Sequence, residues 1–142
     1  MLRINGLSLI IHFDTKKVDQ IEDHLYVNRT VERLALNVSS PDYEKLDVLF
    51  GIFEISSSKG SDQADAIWEA LCGWEIVDQI IGFCCFTTSS NTGKYSGVCT
   101  ILIECLPNPK LYFMCFHHIY EVHISHILNS VQGANKGLSK SW

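Results

Sequence analysis

The segment Ile80 to Phe86, IIGFCCF, is a continuous apolar run between Asp78-Gln79 and the polar stretch Thr87 to Gly93, TTSSNTG. A short unbroken run of this kind reads as a strand buried on both faces, and such strands belong inside parallel or mixed sheets. It separates the chain into two styles of patterning. Before it lie three strand-like segments with short connections. SLIIHF (Ser8 to Phe13) ends at Asp14. VERLALNVS (Val31 to Ser39) alternates, with Leu34, Leu36 and Val38 on one face and Arg33 and Asn37 on the other. VLFGIFEI (Val48 to Ile55) carries Gly51 inside it, a place for a bulge. The polar stretch Asp19 to Asn28 reads as a loop or short helix, and Ser39-Ser40-Pro41-Asp42 as a turn.

The second style is helical. Ala64, Ile67, Trp68 and Leu71 recur at helical spacing, predicting a helix over Asp62 to Gly73. Ser61 would cap it, Asp62 and Asp65 would favour its first turn, and Gly73 would close it. Trp68 and Trp74 would pack it on the sheet. Ser96 to Leu106 reads as a further helix, ended by Pro107 and Pro109. Leu111 to Phe116 reads as another buried strand, and His117 to Val131 as a closing helix. Short connections suit antiparallel pairing, and helical crossovers suit parallel pairing. The expected fold is therefore α/β, a mixed five-stranded sheet of three antiparallel strands and then parallel ones, with helices on both faces. The expected organisation is one domain over 1–131 and a polar tail over 132–142.

Composition narrows the function classes. At 142 residues the chain is long enough to bury a core without a metal or disulfide. Hydrophobic residues make up 46% and charged residues 19%, which excludes a wholly disordered chain. A net charge of −5 argues against a strongly basic nucleic-acid module. The N-terminal apolar stretch is short and runs into Asp14, Lys16 and Lys17, a poor signal peptide. No apolar run reaches the roughly 18 residues of a membrane span. An intracellular protein with reduced thiols is expected, so the cysteines Cys72, Cys84, Cys85, Cys99, Cys105 and Cys115 read as free. Cys84 and Cys85, adjacent in a strand, point to opposite faces.

Three motifs carry a resemblance: HFDTKK (His12 to Lys17), GFCCFTTSSNTGKYSG (Gly82 to Gly97) and CFHHIYE (Cys115 to Glu121). Together with the order of elements, they resemble the hAT superfamily of DNA transposases and transposase-like relatives in animal genomes, whose core has a ribonuclease H-like fold. The similarity runs over about Leu7 to Leu128. The family pattern has an Asp ending the first strand, Phe-Asp-Thr-Thr-x-x-Asn-Thr-Gly ending the fourth, and Cys-Arg-His-His-x-x-Glu near the fifth. The resemblance implies a two-metal phosphoryl-transfer site in which carboxylates hold Mg²⁺. Asp14 matches the first carboxylate. Thr87, Thr88, Asn91 and Gly93 match the second motif, and Cys115, His117, His118 and Glu121 the third.

The departures matter as much as the matches. The family's second Asp falls on Phe86, and its Arg on Phe116. The third acid comes from a later helix, which the resemblance would place past Trp142. Asp14 is then a vestigial metal ligand, and no cofactor is expected, although an active relative would use Mg²⁺. The expectation is a degenerate, catalytically inactive domain of the cell interior or nucleus, with residual contacts to DNA or protein and no membrane or small-molecule partner.

Two alternatives use the same residues. An active Mg²⁺-dependent nuclease would rely on Asp14 and Glu121. A zinc-binding protein would use Cys115, His118, His123 and His126, a Cys-x2-His-x4-His-x2-His spacing that lacks the usual finger pattern. Read without the resemblance, Asp14 is a polar strand end, and Thr87 to Asn91 supply loop and N-cap chemistry. Lys16, Lys17 and Lys94 are the basic residues nearest the site, a weak phosphate patch.

Overall fold

A computed structural model describes residues 6–21, 28–107 and 111–132. Strands β1 (Leu9–Ile21), β2 (Asn28–Ser39) and β3 (Asp47–Ile55) come first. Helix α1 (Gly60–Gly73), strand β4 (Ile80–Cys85), the single turn α2 (Ser89–Thr92), helix α3 (Val98–Cys105), strand β5 (Leu111–Met114) and helix α4 (Phe116–Gln132) follow. The strands form one sheet in the order β3-β2-β1-β4-β5. β1 runs antiparallel to β2, and β2 to β3, whereas β4 lies parallel to β1 and β5 parallel to β4.

The first hairpin is longer than its apolar pattern. β1 continues past Phe13 to Ile21, and β2 begins at Asn28, so the two ends of the expected loop or helix over 19–28 are strand. Residues 22–27 lie outside the described part. Cross-strand chemistry explains the extension, because antiparallel partners stabilise each other without a core beneath them. Lys17 stands opposite Glu32 and Val18 opposite Val31. The Thr30 hydroxyl donates to Asp19 at 2.9 Å. Glu54 on β3 binds Arg29 at 3.0 Å and Arg33 at 3.4 Å. The expected bulge is present: the β2–β3 register shifts just after Leu36, which faces Gly51. The Phe53 ring lies over Gly51, where a Cβ would come within 2.7 Å of it.

One face of the sheet carries the core. Leu9, Ile11 and Phe13 of β1, Leu34, Leu36 and Val38 of β2, and Phe83 and Cys85 of β4 are buried there. Ala64, Ile67 and Leu71 of α1 and Val98, Cys99 and Leu102 of α3 complete the same cluster. Burying each large apolar side chain contributes about 1.5–3 kcal/mol against the entropy of ordering the chain.

The second face departs from expectation. Among the described residues no helix covers it, so the helices do not lie on both faces. His12, Ala35, Asn37 and Cys84 are half-buried there, and Ile52 is exposed. The run expected as a buried strand, Leu111 to Phe116, is the edge strand β5, and all four of its residues are exposed. α4 leaves β5 without extensive packing on any element. Its Tyr120, Val122, Ile124, Ile127 and Leu128 are exposed.

Helix ends also differ in instructive ways. α1 starts at Gly60, with Ser61 inside the helix and no side-chain cap from Lys59. The glycine start is dictated by contact, since any Cβ at Gly60 would overlap the Ser96 carbonyl oxygen. At the other end Glu75, not Gly73, takes the left-handed conformation, with φ of 57°. Its N–H donates to Cys72 O, and that of Ile76 donates to Leu71 O, which closes the helix while Ile76 is buried. Trp68 is packed against the core as expected. Trp74 instead stacks on Phe50, centroids 4.9 Å apart, and stays largely exposed.

Candidate functional site

The C-terminal end of β4 meets the middle of β1 on the open face; Asp14 does not end its strand as expected, because β1 runs on to Ile21. Strand periodicity sends His12 and Asp14 to that face from β1, and Cys84 and Phe86 from the end of β4. The β1–β4 register pairs His12 with Cys84. Two residues further along each chain come Asp14 and Phe86. With Ala35, Asn37 and Cys115 they line a shallow depression of about 200 Å³. Asp14 is the one carboxylate in that lining, and its Oδ1 accepts the Thr15 N–H at 2.8 Å.

The electrostatics are those of a nearly neutral site. Burial holds the His12 imidazole below its usual range, with the Asp47 carboxylate pulling the other way. His12 Nε2 lies 2.7 Å from Ser39 Oγ, and Asn37 Nδ2 donates to Asp47 Oδ1. Burial, with Cys115 alongside, pushes the Cys84 thiol up to about 11. One carboxylate, an imidazole and sulfur side chains are a poor match to Mg²⁺, which requires several oxygen ligands in near-octahedral array. No group of three or more His, Cys, Asp or Glu side chains among the described residues is arranged to hold a metal ion. These residues do not fit the Mg²⁺ pair that the transposase resemblance would imply.

The remaining motif residues build the loop rather than line the depression. Thr88 precedes α2, and its carbonyl accepts from the Asn91 and Thr92 N–H groups and from the Thr92 hydroxyl. Asn91 is buried, and its Nδ2 donates to Phe86 O at 3.0 Å, so it fixes the backbone that carries Phe86. The Gly93 carbonyl accepts from Gly97 N and from Thr100 Oγ1, each at 2.9 Å. Thr87 is exposed beside them. The hydroxyl and amide cluster is thus largely capping and turn chemistry.

Glu121 lies on the exposed helix α4 and does not line the depression. His117 and His118 fall in the first turn of α4, with side chains outside the described residues. His123 and His126 are exposed on the same helix. Cys115 sits immediately before α4, its carbonyl accepting the Ile119 N–H. The helical rise between Cys115 and His126 is about 16 Å. Zinc donors must converge at about 2.0–2.3 Å from one ion, so those two residues cannot share it. Lys16 and Lys17 are exposed on β1. Lys94 sits over the Tyr95 ring at 5.2 Å and lines a different depression, between the start of α1 and the 89–96 loop.

His12, Asn37 and Cys84 are the lining residues that motif reading alone does not single out. The available signal is period two and register: His12 and Cys84 stand two residues from Asp14 and Phe86, and Asn37 faces His12 across the β1–β2 pairing. The raised Cys84 thiol has a measurable consequence. With its thiol raised to about 11, Cys84 is almost wholly protonated at pH 8. Iodoacetamide should therefore modify exposed Cys72 and Cys105 well before Cys84, and the Cys84 rate should keep rising tenfold per pH unit up to pH 10. Mass mapping of timed digests reads this order, and early labelling of Cys84 would contradict the burial.

No family model matches the chain, and no curated protein or solved structure matches it. No helix among the described residues is long and apolar enough to cross a membrane.

Proposed function

We propose that the chain is a ribonuclease H-like domain of hAT-transposase descent that has lost catalysis and keeps an interaction role. The observation that carries the reading is the meeting of Asp14, inside β1, and Phe86, just past the end of the adjacent parallel strand β4, in one depression. The resemblance pairs those two positions as metal-binding carboxylates, although they are far apart in the sequence. Support also comes from the sheet: two antiparallel pairings followed by two parallel ones, in the order β3-β2-β1-β4-β5, is the arrangement a ribonuclease H-like core would have.

With Phe86 in place of the second carboxylate, one hard ligand remains, and a two-metal mechanism has nothing to hold its ions. The surface favours protein over nucleic acid as the residual partner. The net charge is −5, and the apolar side chains of β5 and α4 are exposed. A labelled DNA hairpin incubated with the purified protein and Mg²⁺ or Mn²⁺ should show no cleavage above the buffer control. Metal-dependent cleavage that disappears in Asp14→Asn would overturn the inactive reading.

A further inference from the structure

Two buried thiols face each other on the covered side of the sheet. Cys85 ends β4 and Cys99 lies in the first turn of α3, with their Sγ atoms 3.6 Å apart. Cys85 is 2% exposed and Cys99 6%. Most buried cysteines serve as small apolar residues and meet no second sulfur. Here two converge from different elements, 14 residues apart in sequence. An S–S bond of about 2.05 Å requires them to close by about 1.5 Å. α3 spans only Val98–Cys105 and is held at its start by Gly97, whose carbonyl accepts the Ile101 N–H, so the approach is a small shift of a short helix.

We propose that Cys85 and Cys99 form an oxidisable dithiol, a redox-modification site that hydrogen peroxide converts to a disulfide joining α3 to the end of β4. The Cys99 thiolate attacks one peroxide oxygen. The O–O bond breaks, and the departing hydroxide takes up a proton, leaving Cys99 as a sulfenic acid. Cys85 sulfur then attacks the Cys99 sulfur. The S–O bond breaks, and the leaving hydroxide takes the Cys85 proton as water. Two thiols lose two electrons and two protons, and one peroxide becomes two waters. The neighbourhood suits that order: a hydrogen bond between the two thiols favours the charge on Cys99, and burial together with that bond keeps Cys85 protonated. The Tyr112 hydroxyl nearby acts on Cys85 in the opposite sense, a smaller effect than the bond from Cys99.

The position gives the bond a structural consequence. Cys85 directly precedes Phe86, and the 86–97 loop with its capping residues lies between the two sulfurs. A disulfide would close that loop covalently and fix the rim of the depression. Cys84 points to the opposite face, beside Cys115, and cannot replace Cys85 in reaching Cys99.

The test uses the full chain with exposed Cys72 and Cys105 changed to serine, which prevents links between molecules. The protein is treated with hydrogen peroxide without denaturant, unfolded, alkylated and digested. The expected product is a peptide pair joining Cys85 to Cys99, two hydrogens lighter than its reduced form and separated by dithiothreitol. Tm should rise by roughly 5–15 °C on oxidation and fall back on reduction. Cys99→Ser should remove both the linked peptide and the shift. If Cys85 and Cys99 are both recovered alkylated after peroxide treatment, or if Cys84–Cys115 is the linked pair instead, the proposal fails. Peptide mapping needs no variant of either thiol, so the result stands even if Cys99→Ser folds poorly.

Discussion

Gly60→Ala should destabilise the domain by about 3 kcal/mol, read as a lowered midpoint in urea unfolding followed by circular dichroism. The cause is a collision between backbone elements. A Cβ at Gly60 would overlap the Ser96 carbonyl oxygen and lie 2.9 Å from the Ser90 carbonyl oxygen. Neither acceptor can swing away as a side-chain tip would, because the loop is tied by hydrogen bonds from Gly97 to Gly93 and from Asn91 to Phe86. The start of α1 must retreat instead, and Ala64 and Ile67 retreat with it from the core. Gly73→Ala is the matched control. Nothing lies within 4 Å of a Cβ there, so the same change at the other end of the same helix should be neutral or stabilising by up to about 1 kcal/mol. A gain at both positions would mean that helix propensity, not contact, governs Gly60.

Phe83→Ala should cost still more, about 4 kcal/mol, a large part of the roughly 5–15 kcal/mol that holds a domain of this kind together. Phe83 is fully buried and sits in β4, paired with Ile11 on one side and Tyr112 on the other. Its removal leaves a cavity between the sheet and its covering helices that neither layer can collapse into without moving the other. Phe113→Ala, one strand away at the edge, removes a ring that is already 40% exposed and should cost about 1 kcal/mol or less. The same urea series separates the two. A small loss at Phe83 would contradict the one-sided core.

The contrast between those phenylalanines also marks what was legible in the sequence. IIGFCCF and LYFMCF are both unbroken apolar runs, and periodicity cannot distinguish a strand in mid-sheet from one at an uncovered edge. Burial depends on what lies opposite, which for β5 would have to be α4, and α4 stands away. The alternation in VERLALNVS did specify its buried face, because period two ties each residue to a side of the sheet. The far half of the first hairpin was hidden because Lys16, Lys17 and Asp19 form no apolar pattern; their stability comes from the facing strand. At the site, Asp14 and Phe86 could be matched through motif spacing. His12, Asn37 and Cys84 became visible only through register. Ser61, an expected cap, proved to lie inside the helix, because the steric demand at Gly60 decides where α1 begins.

The most direct measurement is Mg²⁺ binding by Phe86→Asp, followed by isothermal titration calorimetry. If β1 and β4 still hold the frame of a two-carboxylate site, the new carboxylate faces Asp14 across the depression and two hard oxygen donors again converge. Phe86→Asp should then bind Mg²⁺ saturably where the native chain shows no such binding, and adding Asp14→Asn should abolish it. A folded Phe86→Asp variant with no more Mg²⁺ binding than the native chain, or binding that survives Asp14→Asn, would contradict transposase descent for this site.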